Sequence, residues 1–212
     1  MLQWYEFSNT TRGIVNVEDV RLQTKAHASG YERLLADFLP QDRDSPIYEI
    51  GCGPGVALNI LRELGYRNLR GTDLSGSAIA IAQELGHNAS QANSIEDLAS
   101  CPDNSFSRIF AIDVIEHLEK GELVRFLQIA RAKLRGTDGM LLLRCPNGDS
   151  PIVGRNLYND VTHVWTYTST AISGLLMMGG FRRVVIFDET VPFEDPKRRL
   201  RTLILSFHSI TH

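Results

Sequence analysis

The chain has 212 residues, 43% of them hydrophobic, and a formal net charge of −3. That length fits one domain over residues 1–212 with a full apolar core, and the weak charge offers no basic face of the kind nucleic-acid binding uses. Three widely spaced cysteines, Cys52, Cys101 and Cys145, argue against a disulfide framework and a zinc site, and no apolar run nears the roughly 20 residues that span a bilayer.

Residues 1–20, which lack a basic-then-apolar leader, are unpatterned and read as an arm or lid, and the expected setting is cytoplasmic. Apolar residues then recur at helical spacing from Val20 to Leu39, ended by Pro40. Ile47–Ile50 reads as a strand, and Val56 to Leu64 as a helix closed by Gly65. Leu69 to Thr72 is a second strand ending at Asp73, and Ser75 caps a helix from Ala78 to Leu85. Ala89 to Ala92, Arg108 to Ile112 and Met140 to Cys145 follow as strands, with a helix from Glu122 to Leu134 before the last. Strand and helix alternating over short connections predict a doubly wound, mostly parallel α/β sheet. Residues 146–170 form a long polar and aromatic insert. Thr170 to Met178 is then a helix, and Arg183 to Phe187 with Leu203 to Phe207 forms a terminal antiparallel hairpin, for seven strands in all. The run Lys197, Arg198, Arg199 and Arg201 reads as a solvated loop or an anion-binding edge.

The chemistry concentrates in IYEIGCGPG, residues 47–55. A strand that ends in glycines and opens a helix lets a ligand lie against bare backbone, and the helix presents free N–H groups to an anionic part of it. A dinucleotide fingerprint reads G-x-G-x-x-G. Here the third glycine comes one residue early, Val56 stands where that fingerprint wants Gly or Ala, and Glu49 precedes the turn, giving E-x-G-x-G-x-G.

That pattern resembles motif I of the class I S-adenosylmethionine (SAM)-dependent methyltransferases. FSRIFAIDVIEHL resembles the family's strand-four segment, with Ser107 where an aspartate is usual. The resemblance covers roughly residues 30 to 150. It implies the Rossmann-like methyltransferase fold, and SAM as cofactor with S-adenosylhomocysteine as product. It implies a cofactor site of Glu49, Gly51, Cys52, Gly53, Gly55, Asp73, Leu74, Ser94, Ile95 and Asp113. Asp73 would take the ribose hydroxyls, or cap the next helix through TDLS. Ser94, where the family often has an acidic residue, would meet the adenine amino group, with Ile95 on the ring face. Asp113 would lie near the methionine part. Glu96 and Asp97 read as a solvated helix start, and His117 as a structural residue.

The insert resembles that of small sugar and polysaccharide O-methyltransferases, in which a PN precedes a D-x-T-H-V-aromatic stretch. Asp160 and His163, among Tyr158, Trp165 and Tyr167, would suit a hydroxyl acceptor of a small molecule or glycan. His163 would take its proton or simply anchor the loop. Arg144 and Arg155 could meet an anionic acceptor or face solvent. Asp113, Asp160 and His163 are metal-ligand types, but they lack a diagnostic spacing and no metal is expected. Two other classes compete: a SAM-binding module without chemistry, and a nicotinamide-dependent oxidoreductase. The sequence is silent on oligomeric state.

Overall fold

All four residues of Ile47–Ile50 (β1) are buried, because helices cover both faces of the sheet in which β1 is central. The computed structural model describes residues 14–35, 37–136, 138–158, 160–188 and 201–207. After β1 come α2 (Val56–Glu63), β2 (Leu69–Asp73), α3 (Gly76–Glu84), β3 (Ala89–Gln91) and α4 (Ser94–Ser100). Next are β4 (Arg108–Ile112), a 3-10 turn (Ile115–His117), α5 (Lys120–Lys133) and β5 (Met140–Pro146). The chain continues through α6 (Val153–Tyr158), α7 (Ser169–Met178), β6 (Arg183–Asp188) and β7 (Arg201–Phe207). A first helix, α1 (Val17–Leu35), precedes β1.

Among the described residues the strand order is β3-β2-β1-β4-β5-β7-β6. β1 pairs in parallel with β2 on one side and β4 on the other. β7 runs antiparallel to both β5 and β6. The chain winds outward from β1 to β3, then returns to lay β4 against β1. The switch point therefore lies between β1 and β4, and a ligand crevice is expected at their carboxyl ends. The doubly wound, mostly parallel α/β fold expected from the alternation is the fold observed.

Period-two alternation divides the core. Tyr48, Ile50, Ile109, Ala111, Leu141 and Leu143 face a layer built with Leu123, Phe126, Leu127 and Leu176. Ile47, Phe110, Met140 and Leu142 face the other way, against Leu61 and Tyr66. Burying a Leu, Ile or Phe side chain is worth about 1.5–3 kcal/mol, so a register slip would invert both layers at once.

The main differences from expectation lie at α1, which also ends at Leu35 where Leu39 was expected, and inside the insert. α1 starts at Val17, because Asn16 and Asp19 cap each other: the Asp19 carboxylate accepts the Val15 and Asn16 N–H groups at 3.0 and 3.2 Å, and the Asn16 side chain accepts the Asp19 N–H at 3.0 Å. Residues 17–20 of the expected arm are thus helical, with Val20 fully buried; residues 1–13 lie outside the described residues, as does the basic run up to Arg199. The second difference is α6, a short helix inside the 146–170 insert.

Candidate active site

Gly51, Gly53 and Gly55 all have positive φ, at 63, 52 and 88°. That conformation is costly for a residue with a Cβ. At Gly51 space is also lacking: a Cβ would lie 2.5 Å from Val114 Cγ2. The turn is tied down by backbone and side chain. The Cys52 N–H donates to the Thr72 carbonyl and the Gly55 N–H to the Cys52 carbonyl, each at 3.0 Å. The Gly53 N–H donates to Asp73 Oδ2 at 2.8 Å, and Asp73 Oδ1 accepts the Ser75 N–H at 2.8 Å.

Asp73 therefore shapes the turn whether or not it also meets a ribose. Leu74 is half-buried, and its carbonyl accepts the Gln91 amide at 3.0 Å. The Ser94 hydroxyl reaches the same turn, accepting from Thr72 Oγ1 at 2.9 Å and from the Gly51 N–H at 3.4 Å. Two residues of the expected cofactor set turn inward. Ile95 is 7% exposed and packs in the core. Cys52 is buried, which pushes its thiol well above the ordinary range, with Glu49 and Asp73 adding to the effect.

Glu49 is 3% exposed, and its Oε2 has no hydrogen-bond partner. Burial raises its pKa to about 8; the Asp73 charge adds to this and Arg144 opposes it. A buried acceptor left open beside Asp73 calls for a donor or a cation, and an anion would be repelled. Such an acceptor, with bare glycine backbone next to it, fits a ligand carrying ribose hydroxyls and positive charge, as SAM does.

Asp113 ends β4 in the left-handed region, at φ 55°. Arg144 grips it through Nε–Oδ1 at 3.2 Å and Nη2–Oδ2 at 2.6 Å. Both side chains are largely buried, so Arg144 is an internal partner of Asp113. Arg155 is exposed. The next residue after Asp113 is Val114, which abuts Gly51. The exit of β4 and the glycine turn thus form one continuous surface.

The insert folds back onto the 3-10 turn that follows β4. The Val164 and Trp165 N–H groups donate to the Glu116 carbonyl at 2.8 and 3.2 Å. The Gly148 N–H donates to the Tyr167 carbonyl at 2.9 Å, a contact only glycine allows, since a Cβ there would lie 2.5 Å from the Tyr167 backbone. This brings His163 onto His117, with ring centroids 4.8 Å apart. Thr162 Oγ1 lies 2.8 Å from His117 Nδ1 and donates to Asp160 Oδ1 at 2.6 Å. Asp160 also accepts the Thr162 N–H at 2.9 Å. Burial raises the Asp160 pKa, but the Thr162 bonds and the two histidines outweigh it and hold the carboxyl below its usual range.

The expected cluster of three aromatic residues is corrected at one position. Tyr167 is 3% exposed and sits in the core. Tyr158 and Trp165 remain on the surface, the latter with Lys120 Nζ 3.7 Å from its ring centroid. His117, read as structural, faces His163, and Glu116 beside it is 1% exposed. Asp97 is not a solvated residue: it accepts from Tyr48 at 2.8 Å and pairs with Arg70 at 2.7 Å. The signal for that network was a tyrosine in a fully buried strand, whose O–H needs a partner.

Comparison with known proteins agrees with this architecture. A family model described as a methyltransferase domain matches residues 22–185. No curated protein matches the chain. Among solved structures, a SAM-dependent methyltransferase from Archaeoglobus fulgidus is 20% identical with a TM-score of 0.71, covering 86% of this chain and 93% of that one. Geranyl diphosphate C-methyltransferase from Streptomyces coelicolor, solved with Mg2+, geranyl diphosphate and S-adenosylhomocysteine, is 14% identical with a TM-score of 0.65, covering 85% and 77%. Phosphoethanolamine N-methyltransferase 2 from Haemonchus contortus, solved with SAM, is 14% identical with a TM-score of 0.63, covering 84% and 56%. At such identities the neighbours share the fold, and the family match spans well over half the chain: it belongs to the class I SAM-dependent methyltransferases.

Proposed function

We propose that the chain transfers a methyl group to a hydroxyl of a small molecule or sugar. When bound, SAM supplies a methyl group already activated on a sulfonium, so the protein's work is chiefly orientation. The glycine turn lets the ligand lie against bare backbone, Asp73 supplies acceptors for ribose hydroxyls, and Ser94 a hydroxyl at the adenine side. Glu49, with an open buried acceptor, and Asp113, paired with Arg144, stand toward the methionine end.

The observation that carries the acceptor reading is the position of His163. The insert brings it to the end of β4, whose next residues touch the glycine turn through Val114. Cofactor groups and acceptor groups thus share one edge of two neighbouring strands. His163 accepts the hydroxyl proton, Asp160 fixes the loop through Thr162, and the exposed faces of Tyr158 and Trp165 suit a sugar ring. No helix among the described residues is long and apolar enough to cross a membrane.

The test is turnover of SAM to S-adenosylhomocysteine with a panel of hydroxylated acceptors. His163→Ala should lower turnover by roughly 10²–10⁴ while SAM affinity stays unchanged. Normal turnover in that variant would remove His163 as the proton acceptor.

A further inference from the structure

We propose that Glu116, His117 and His163 hold a divalent first-row transition-metal ion at the carboxyl end of β4. One ligand atom from each lies within 4.8 Å of the other two. A shift of less than about 1 Å per atom brings all three to the roughly 2.1 Å of a metal–nitrogen or metal–oxygen bond. Two imidazoles and one carboxylate on one side of an ion, with the remaining positions open, suit zinc, manganese, iron or cobalt better than magnesium or calcium.

The surroundings are arranged as a ligand set requires. Thr162 gives its hydroxyl proton to the Asp160 carboxylate, which only accepts, so Thr162 Oγ1 must receive the Nδ1 proton of His117. That fixes the tautomer and leaves the lone pair on His117 Nε2. A carboxylate–threonine–histidine chain of this kind orients a ligand from behind. Glu116 is 1% exposed, so its carboxylate is held out of water. The Glu116 carbonyl itself holds the Val164 and Trp165 amides, which docks the insert and brings His163 to the pair from 46 residues away.

The inference deepens the proposed function and rests on it for its purpose. An acceptor hydroxyl on an open position of the ion becomes more acidic and loses its proton to solvent. In the loaded protein His163 is then a ligand, and proton acceptance at its ring belongs to the metal-free form.

Metal binding can be measured without SAM or acceptor. Tag-free protein stripped with chelator is titrated calorimetrically with Zn2+, Mn2+ and Mg2+, and with Co2+ while its visible absorption is followed. The expected result is one ion per chain, with Zn2+ and Co2+ bound far more tightly than Mg2+. Thr162→Val, which removes the hydroxyl linking His117 to Asp160, should weaken binding roughly 10–100-fold. His163→Ala and Glu116→Gln should weaken it more, with thermal melts of the metal-free variants confirming that each folds. Absence of saturable uptake at millimolar metal, or wild-type affinity in a folded His163→Ala variant, overturns the site. Chelator-insensitive methyl transfer by protein that takes up no metal would sink this inference and leave the methyltransferase reading standing. Stoichiometric metal uptake by protein that binds no SAM would do the reverse.

Discussion

In the ligand-free fold, burial favours the protonated form of the Glu49 carboxyl. Its folded pKa of about 8 stands above the ordinary 4.5 because it is buried beside Asp73. The folded state therefore keeps a proton that the unfolded chain releases between about pH 4.5 and 8. Its contribution to stability is fully present below the lower value and is lost as pH rises through the upper one. Glu49→Gln, which cannot ionise, should flatten that part of the profile. Urea denaturation of both proteins at pH 5 and pH 8.5 checks this, and parallel losses in the two would refute it. Asp73 makes a second prediction. Asp73→Ala should weaken SAM binding by about 1.5–3 kcal/mol, the range for hydrogen bonds to a charged group. Calorimetry with a denaturation control is needed, since Asp73 also holds the Gly53 and Ser75 amides; unchanged affinity would dismiss the ribose assignment. These residues were legible because each lies within a few positions of a strand end, where the topology alone places ligands. Glu116 and His117 were not legible as a site, because their partners Thr162 and His163 come from a loop about 45 residues away whose path no local pattern specifies.

At the scale of elements, the glycine turn and the exit of β4 behave as one unit. Gly51 cannot take a side chain without striking Val114. Gly51→Ala should cost about 1–3 kcal/mol of stability from backbone strain and the clash beyond it. Val114→Ala in the same protein should recover the steric part alone. A double-mutant cycle by chemical denaturation measures the coupling, and strict additivity would mean the two do not meet. Most element boundaries were legible for local reasons. β1 and β4 fall where their apolar runs predict, and Ser75 and Thr168 accept the N–H three residues on at 3.2 Å. α1 began earlier than expected because its Asn16–Asp19 cap precedes the apolar periodicity. α6 was missed because VGRNLY carries a glycine and only two turns' worth of residues. The pairing of half-buried Asp97 and the burial of Tyr167 were missed because they depend on which residues they meet in the folded chain.

At the scale of the whole molecule, the crevice between β1 and β4 is the place for SAM. The same topology serves nicotinamide dinucleotides, and the compact glycine spacing with Glu49 in front is what separates the two. The most direct test is isothermal titration of the purified chain with S-adenosylhomocysteine and, in parallel, with NAD, repeated on Gly53→Val. Gly53 sits at φ 52°, with its N–H on Asp73, so a β-branched side chain there strains the turn that the ligand must approach. The expected result is saturable binding of S-adenosylhomocysteine at one site per chain, no binding of NAD, and loss of the first in a Gly53→Val protein that still folds. Binding of NAD with no heat from S-adenosylhomocysteine, or full S-adenosylhomocysteine affinity in Gly53→Val, would contradict it.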